Sequence, residues 1–149
     1  MMWSRYRGKA IENIEGVCKR GDWVYGSLVP DQCHEAHPWI LGDICEGEEV
    51  CIEPEFWAPV DKETIGQGIK REDKKGNEIY EGDIVRCFSL GEGKEIIGVV
   101  QYSVASSCFV VSGRKVNGDI NRIVLTMRQC WNIRRVGNIH DNPELMEVN

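Results

Sequence analysis

The sequence predicts a mainly β protein of short antiparallel strands, arranged as a small barrel or a sandwich. Its apolar runs are short and rich in β-branched and aromatic residues, as strands require. Glycine supplies 16 of the 149 residues and punctuates those runs throughout. No segment sustains a 3.6-residue apolar stripe over three turns, as an amphipathic helix would.

Trp23-Val24-Tyr25-Gly26-Ser27-Leu28-Val29 alternates well, so a strand is expected over 22–29, ended by Pro30. Residues 31–49 read as loop, with DQCHEAHP followed by the acidic EGEE, and a second strand is expected over Val50 to Ile52. Pro54 and Pro59 then bracket Phe56-Trp57 in an extended connector. A soft boundary near residue 60 separates a less regular, β-rich region (1–60) from a more regular one (61–149). There, strands are expected at 84–88, 96–102, 108–112, 120–127 and 133–139. Gly91-Glu92-Gly93 turns the chain once, and Asn117-Gly118-Asp119 again, with the Asn-Gly pair that tolerates positive φ. The length suits one ordinary domain or two very small ones.

The densest local signal is KKGNEIYEGDIV, residues 74–85. Lys75-Gly76-Asn77 reverses the chain, and Ile79 and Tyr80 dock apolar mass. Gly82 permits a tight bend, and the Asp83 side chain accepts backbone N–H bonds there. Ile84-Val85 begins the next strand. Each residue has a structural task.

The chain carries 18 basic and 24 acidic residues, a net charge of −6, which argues against nonspecific binding to a phosphate backbone. No apolar run approaches the roughly 20 residues that cross a bilayer, and the N-terminus lacks the apolar stretch of a signal peptide. A cytoplasmic protein without a membrane partner is expected. The seven cysteines are odd in number and never spaced as C-x-x-C, so they are expected to be thiols in a reducing compartment.

Cys33, His34, His37, Cys45 and Cys51 are the candidate metal ligands, since thiolates and imidazoles suit zinc. Their spacing matches no zinc motif, and His34-Glu35-Ala36-His37 departs from His-Glu-x-x-His, so a polar loop is the preferred reading. A cysteine nucleophile needs a base, and only His34, His37 and His140 are on offer. Glu78, Glu81 and Asp83 lie close together, but a turn with Asp83 as acceptor accounts for them better than acid–base work. No phosphate-binding loop, dinucleotide fingerprint or nucleophile elbow occurs. Basic residues at Lys70-Arg71, Lys74-Lys75, Arg114-Lys115, Arg122, Arg128 and Arg134-Arg135 accompany few aromatics (Tyr80, Phe88, Tyr102, Phe109, Trp131). A solvated charged face is the preferred reading over a nucleic-acid groove.

Residues 74–85 also resemble the hallmark block of the YopX family of phage and prophage proteins. Glu63-Thr64-Ile65-Gly66-Gln67 resembles its "PETVGQ" element, with Lys62 in place of the proline. Val136-Gly137-Asn138-Ile139-His140-Asp141-Asn142-Pro143-Glu144-Leu145 is similar to its terminal "IGNIYDNPEL". Arg7-Gly8-Lys9 and Gly21-Asp22-Trp23-Val24-Tyr25-Gly26 also fit, while 31–56 and 103–130 do not match. The resemblance implies a mainly β protein whose C-terminal part is an SH3-type barrel, and a bacteriophage or prophage source. It implies no biochemical activity and no catalytic residues.

The expectation is therefore a non-enzymatic phage accessory or regulatory protein that works without a cofactor in the bacterial cytoplasm. It would bind a macromolecular partner, protein before nucleic acid. A nucleic-acid-binding small barrel is the alternative, and a zinc-dependent enzyme at 33–51 ranks below it. Partner identity and oligomeric state stay open. Gly76, Gly82, Asp83, Gly137, Asn138 and Pro143 are expected to be structural. Asp141-Asn142-Pro143 should turn the chain so that Leu145 folds back as a clasp. With no structural disulfide, the melting temperature should be unchanged in excess reductant, and a large loss there would refute the thiol assignment.

Overall fold

A computed structural model of the chain describes residues 5–31, 37–47 and 51–147. It is mainly β, with no α-helix among the described residues. The chain divides into two compact units, Met1–Gly68 and Ile69–Asn149.

The first unit contains β1 (Tyr6–Lys9), β2 (Trp23–Val29), β3 (Trp39–Leu41), β4 (Ile44–Gly47), β5 (Ile52–Pro54), β6 (Trp57–Pro59) and the start of β7 (Gly66–Glu72). Four strands pair antiparallel in the order β6-β3-β2-β1, and the first residues of β7 pair with β1. β4 and β5 form a separate hairpin. Alternation along β2 sends Val24 inward to Ala10, Ile40, Ala58 and Val60, with Leu28 packed beside them. The opposite face carries Tyr25, Val29, Trp39 and Trp57, each more than a third exposed.

Two sequence expectations differ here. The presumed loop 31–49 holds β3 and β4, and the connector at Phe56-Trp57 leads into β6. These strands are three or four residues long. That is too short for alternation to register, and β3 and β6 persist because Ile40 and Ala58 are fully buried. The division also lies beyond residue 60. Val60 is fully buried in the first core, and Lys9 donates its N–H to Thr64 Oγ1 at 2.8 Å.

The second unit contains β8 (Glu78–Tyr80), β9 (Asp83–Ser89), β10 (Glu95–Ser103), β11 (Cys108–Lys115), β12 (Ile123–Thr126) and β13 (Cys130–Asn138). The last five form one antiparallel sheet, ordered β12-β11-β10-β9-β13 and curled into a half-barrel. Two register shifts in β13, with Asn132 at φ 51°, give the bulges that bend that strand. Inside the curl lie Ile79, Val85, Cys87, Ile96, Val100, Val111, Cys130 and Ile133. A 3-10 turn at Met127–Gln129 joins β12 to β13.

Gly82 adopts φ +84°, open to glycine and strained for other residues. Its N–H donates to Val100 O at 2.8 Å, and its carbonyl accepts from Ile139 N at 2.9 Å. Asp83, wholly buried, accepts the Tyr80 N–H at 2.8 Å. One bend thereby ties β8 and β9 to β10 and to the end of β13. At the other end of the block Gly76 takes φ +83° in the turn before β8.

The chain closes with a 3-10 turn at Pro143–Met146. Asn138 Oδ1 accepts N–H bonds from His140 and Asp141 at 3.0 and 2.9 Å, starting the reversal. A Cβ on Gly137 would fall 2.6 Å from Asn142 Oδ1 and 2.9 Å from Leu145 Cδ1, so the clasp seats directly on that glycine. Gly82→Val should cost about 1 kcal/mol or more; an unchanged melting temperature would refute the positive-φ requirement. Leu145→Ala should cost about 1 kcal/mol, because that side chain is only half-buried. Truncation after Asn138 should cost more, and thermal melts of both variants check the order.

Candidate functional site

The acidic residues of the motif are engaged in structure. Besides the Tyr80 N–H, Asp83 Oδ2 has Arg135 Nη1 at 3.9 Å, and Glu78 Oε2 accepts the Tyr80 hydroxyl at 2.9 Å. Asp73, which the sequence did not single out, is the acceptor of the Gly76 turn. Its Oδ1 receives N–H bonds from Lys75 at 2.8 Å and Asn77 at 3.0 Å, and its Oδ2 receives one from Arg135 at 3.3 Å. Burial pushes the Asp73 carboxyl up, but the N–H donors of Asn77, Lys75 and Arg135 outweigh it and hold the group below its ordinary range. The missed signal was the Asp-x-x-Gly-Asn spacing, which sets a carboxylate over a glycine turn.

Of the candidate zinc ligands, Cys33 and His34 lie outside the described residues. Cys45 belongs to β4, His37 is exposed before β3, and Cys51 is exposed before β5. Among the described residues, no three His, Cys, Asp or Glu side chains are grouped to hold a metal ion. Cys87 and Cys130 meet in the second core. The hydrogen bond that the Cys87 thiol gives to Cys130, together with burial, pushes Cys87 well above its ordinary range, which suits a packed thiol and not a nucleophile.

Several basic residues also hold the fold. Arg71 spans the carbonyls of Cys130, at 2.8 Å, and Met127. Lys115 Nζ lies 3.2 Å from Glu92 and 3.6 Å from Asp119, closing off a cleft of about 260 Å³ floored by Ile96, Ile123 and Leu125.

The outer face of the half-barrel is different. Residues directly opposite in adjacent strands point the same way. One row across the sheet therefore reads Arg134 (β13), Arg86 (β9), Ile97 (β10) and Arg114 (β11). The next reads Trp131, Phe88 and Glu95. Glu95 Oε1 lies 2.8 Å from Arg134 Nη2 and 3.8 Å from Arg86 Nη1, so one carboxylate serves two guanidiniums. Arg114 Nη2 donates to the Glu147 carbonyl at 3.1 Å, and Arg122 Nε donates to Ser112 Oγ at 3.0 Å. Phe88 and Trp131 pack with ring centroids 5.2 Å apart, and Trp131 keeps 47% of its surface exposed. Basic and aromatic side chains are thus gathered on one surface of the second unit.

The sequence singles out Arg114, Arg122, Arg134, Phe88 and Trp131 without placing them together, and Arg86 is not among them. Ile84-Val85-Arg86-Cys87-Phe88 does alternate, so a shared face for Arg86 and Phe88 was there to be read. Arg134 reaches the same row only through the bulge between Trp131 and Arg134, which sequence spacing hides.

The family model described as "YopX protein" matches residues 20–147. The chain belongs to the YopX family. That match takes in the Gly76 turn, the Gly82-Asp83 bend, the arginine row and most of the clasp. No curated protein matches the chain.

Asp73 gives the family's hallmark corner a pH dependence. Its folded-state value lies below the ordinary 3.8, so its contribution is complete above that value and is lost as pH falls through the depressed folded one. Acid titration of the melting temperature should show this loss, and Asp73→Asn should remove it. Asp73→Ala should cost about 1–3 kcal/mol by stranding backbone donors at neutral pH.

Proposed function

We propose that this YopX-family chain is a non-enzymatic accessory or regulatory protein of a bacteriophage or prophage, acting in the host cytoplasm by binding a macromolecular partner. The observation that carries the reading is where its chemistry-bearing groups lie. In the hallmark block Asp83 is engaged by the Tyr80 N–H and Glu78 by the Tyr80 hydroxyl, whereas large aromatic side chains face outward, with Trp39 and Trp57 on the first unit and Trp131 on the second exposed by 38%, 50% and 47%. Exposed tryptophans favour contact with a partner over packing within the chain.

We read the half-barrel as SH3-like. Its support is the four-strand meander β9-β10-β11-β12, the short 3-10 turn, and the return of β13 beside β9. A barrel of this kind presents its outer surface and loops for recognition.

Tagged full-length chain recovered from infected or lysogenic bacteria should carry a stoichiometric protein or nucleic-acid partner. Retention should fall when either Trp57 or Trp131 is replaced by alanine. Recovery of the chain alone in both host states would refute the reading.

A further inference from the structure

We propose that the outer face of β9, β10, β11 and β13 is a docking surface for single-stranded nucleic acid. The inference rests on the binding-protein reading above and supplies its surface and its partner.

The charge of the chain is divided unevenly. Residues 1–68 hold 6 basic and 13 acidic side chains, a net of −7, whereas 69–149 hold 12 and 11, a net of +1. The overall acidity therefore belongs to the first unit and does not describe this face. In the two adjoining rows Arg134, Arg86 and Arg114 face one carboxylate, Glu95. Arg114 and Arg122 bond to neutral oxygens, which satisfies a donor and leaves the charge uncompensated. Each guanidinium has five N–H donors in a flat fork that fits phosphate oxygens, and the bonds observed here use only some of them. Arg134 and Arg86 stand side by side at the open end of the row, one strand spacing or about 5 Å apart, whereas Ile97 is buried and Arg114 is met by the Glu147 carbonyl.

The aromatic pair selects among anionic partners. Phe88 braces Trp131 at 5.2 Å, yet nearly half the indole surface stays open beside the arginines. An acidic peptide answers the charge but offers the indole a stacking face only where it also carries an aromatic side chain. A duplex would present phosphates but keep its bases stacked within itself. A single strand offers both phosphates and free base faces, and base–aromatic stacking beside a basic track is how such strands are held. The clasp seats on Gly137, beside Ile84 in the register, and its Glu147 carbonyl reaches Arg114, so the open part of the face is the end that carries Arg86, Arg134 and Trp131.

The test uses the full chain and a labelled 20-nucleotide oligothymidylate, with oligouridylate and a DNA duplex alongside, followed by anisotropy across a salt series. Saturable single-strand binding should weaken with salt, and the duplex should bind less tightly. Trp131→Ala should weaken binding about tenfold or more at unchanged salt slope. Arg86→Ala and Arg134→Ala should each lower the slope by about 0.7. Glu95→Gln should tighten binding, a gain that misfolding cannot produce. Melting temperatures should confirm that every variant is folded. Absence of saturable binding at low salt, equal or tighter duplex binding, or indifference to both Trp131→Ala and Glu95→Gln overturns the inference. If host-cell capture meanwhile yields a protein partner, the binding-protein reading survives and only this surface assignment falls.

Discussion

The second unit depends on a bend at which backbone and side-chain bonds from four strands converge. Gly82 gives its N–H to β10 and receives one from just beyond β13, while the adjacent Asp83 carboxylate takes the Tyr80 N–H. A buried carboxylate is costly unless such donors meet it, and a positive φ is costly to every residue with a Cβ. These two requirements explain why Gly and Asp stand side by side there. They also fix the register of β9, and through it which side chains of β10 and β13 face the core. The arginine row on the outside is a remote consequence of that bend.

The regular strands of the second unit were legible because each is long enough to alternate and is separated by glycine turns. β9, β10 and β11 extend the expected segments by a residue or more, and β13 begins three residues before the expected 133–139 and ends one residue short of it. At Ile120 the expectation overran, since Asp119 accepts from Asn121 at 3.0 Å and 2.7 Å and holds that stretch as a turn, so β12 starts at Ile123. The first unit was harder to read. β1, β3, β4 and β6 have three or four residues each, and their stability comes from neighbours distant in sequence. The surface proposed to bind was only partly legible. Strand alternation could place Arg86 with Phe88, but cross-strand register and a bulge were needed to bring Arg134 and Trp131 beside them.

Glu95 has a double effect on that surface. By holding two like charges in fixed positions it relieves their repulsion and lowers the ordering cost of meeting a ligand. It also subtracts a negative charge from the field that any phosphate meets. A phosphate-binding face tuned this way would favour exchange over permanent attachment.

The short edge strand β6 bears on how the chain behaves when crowded. Val60 N–H bonds to Pro38 O, and Phe56 O accepts from Gly42, so these alternate positions point into the sheet. Pro59 and Trp57 therefore point to the rim. Pro59 has no N–H to offer, and its carbonyl is already capped by the Ile11 N–H at 3.0 Å. A neighbouring copy that approached this rim would find almost no ladder to extend. At this rim the first unit can thus display the bare Trp57 without also offering a long template for fibril growth.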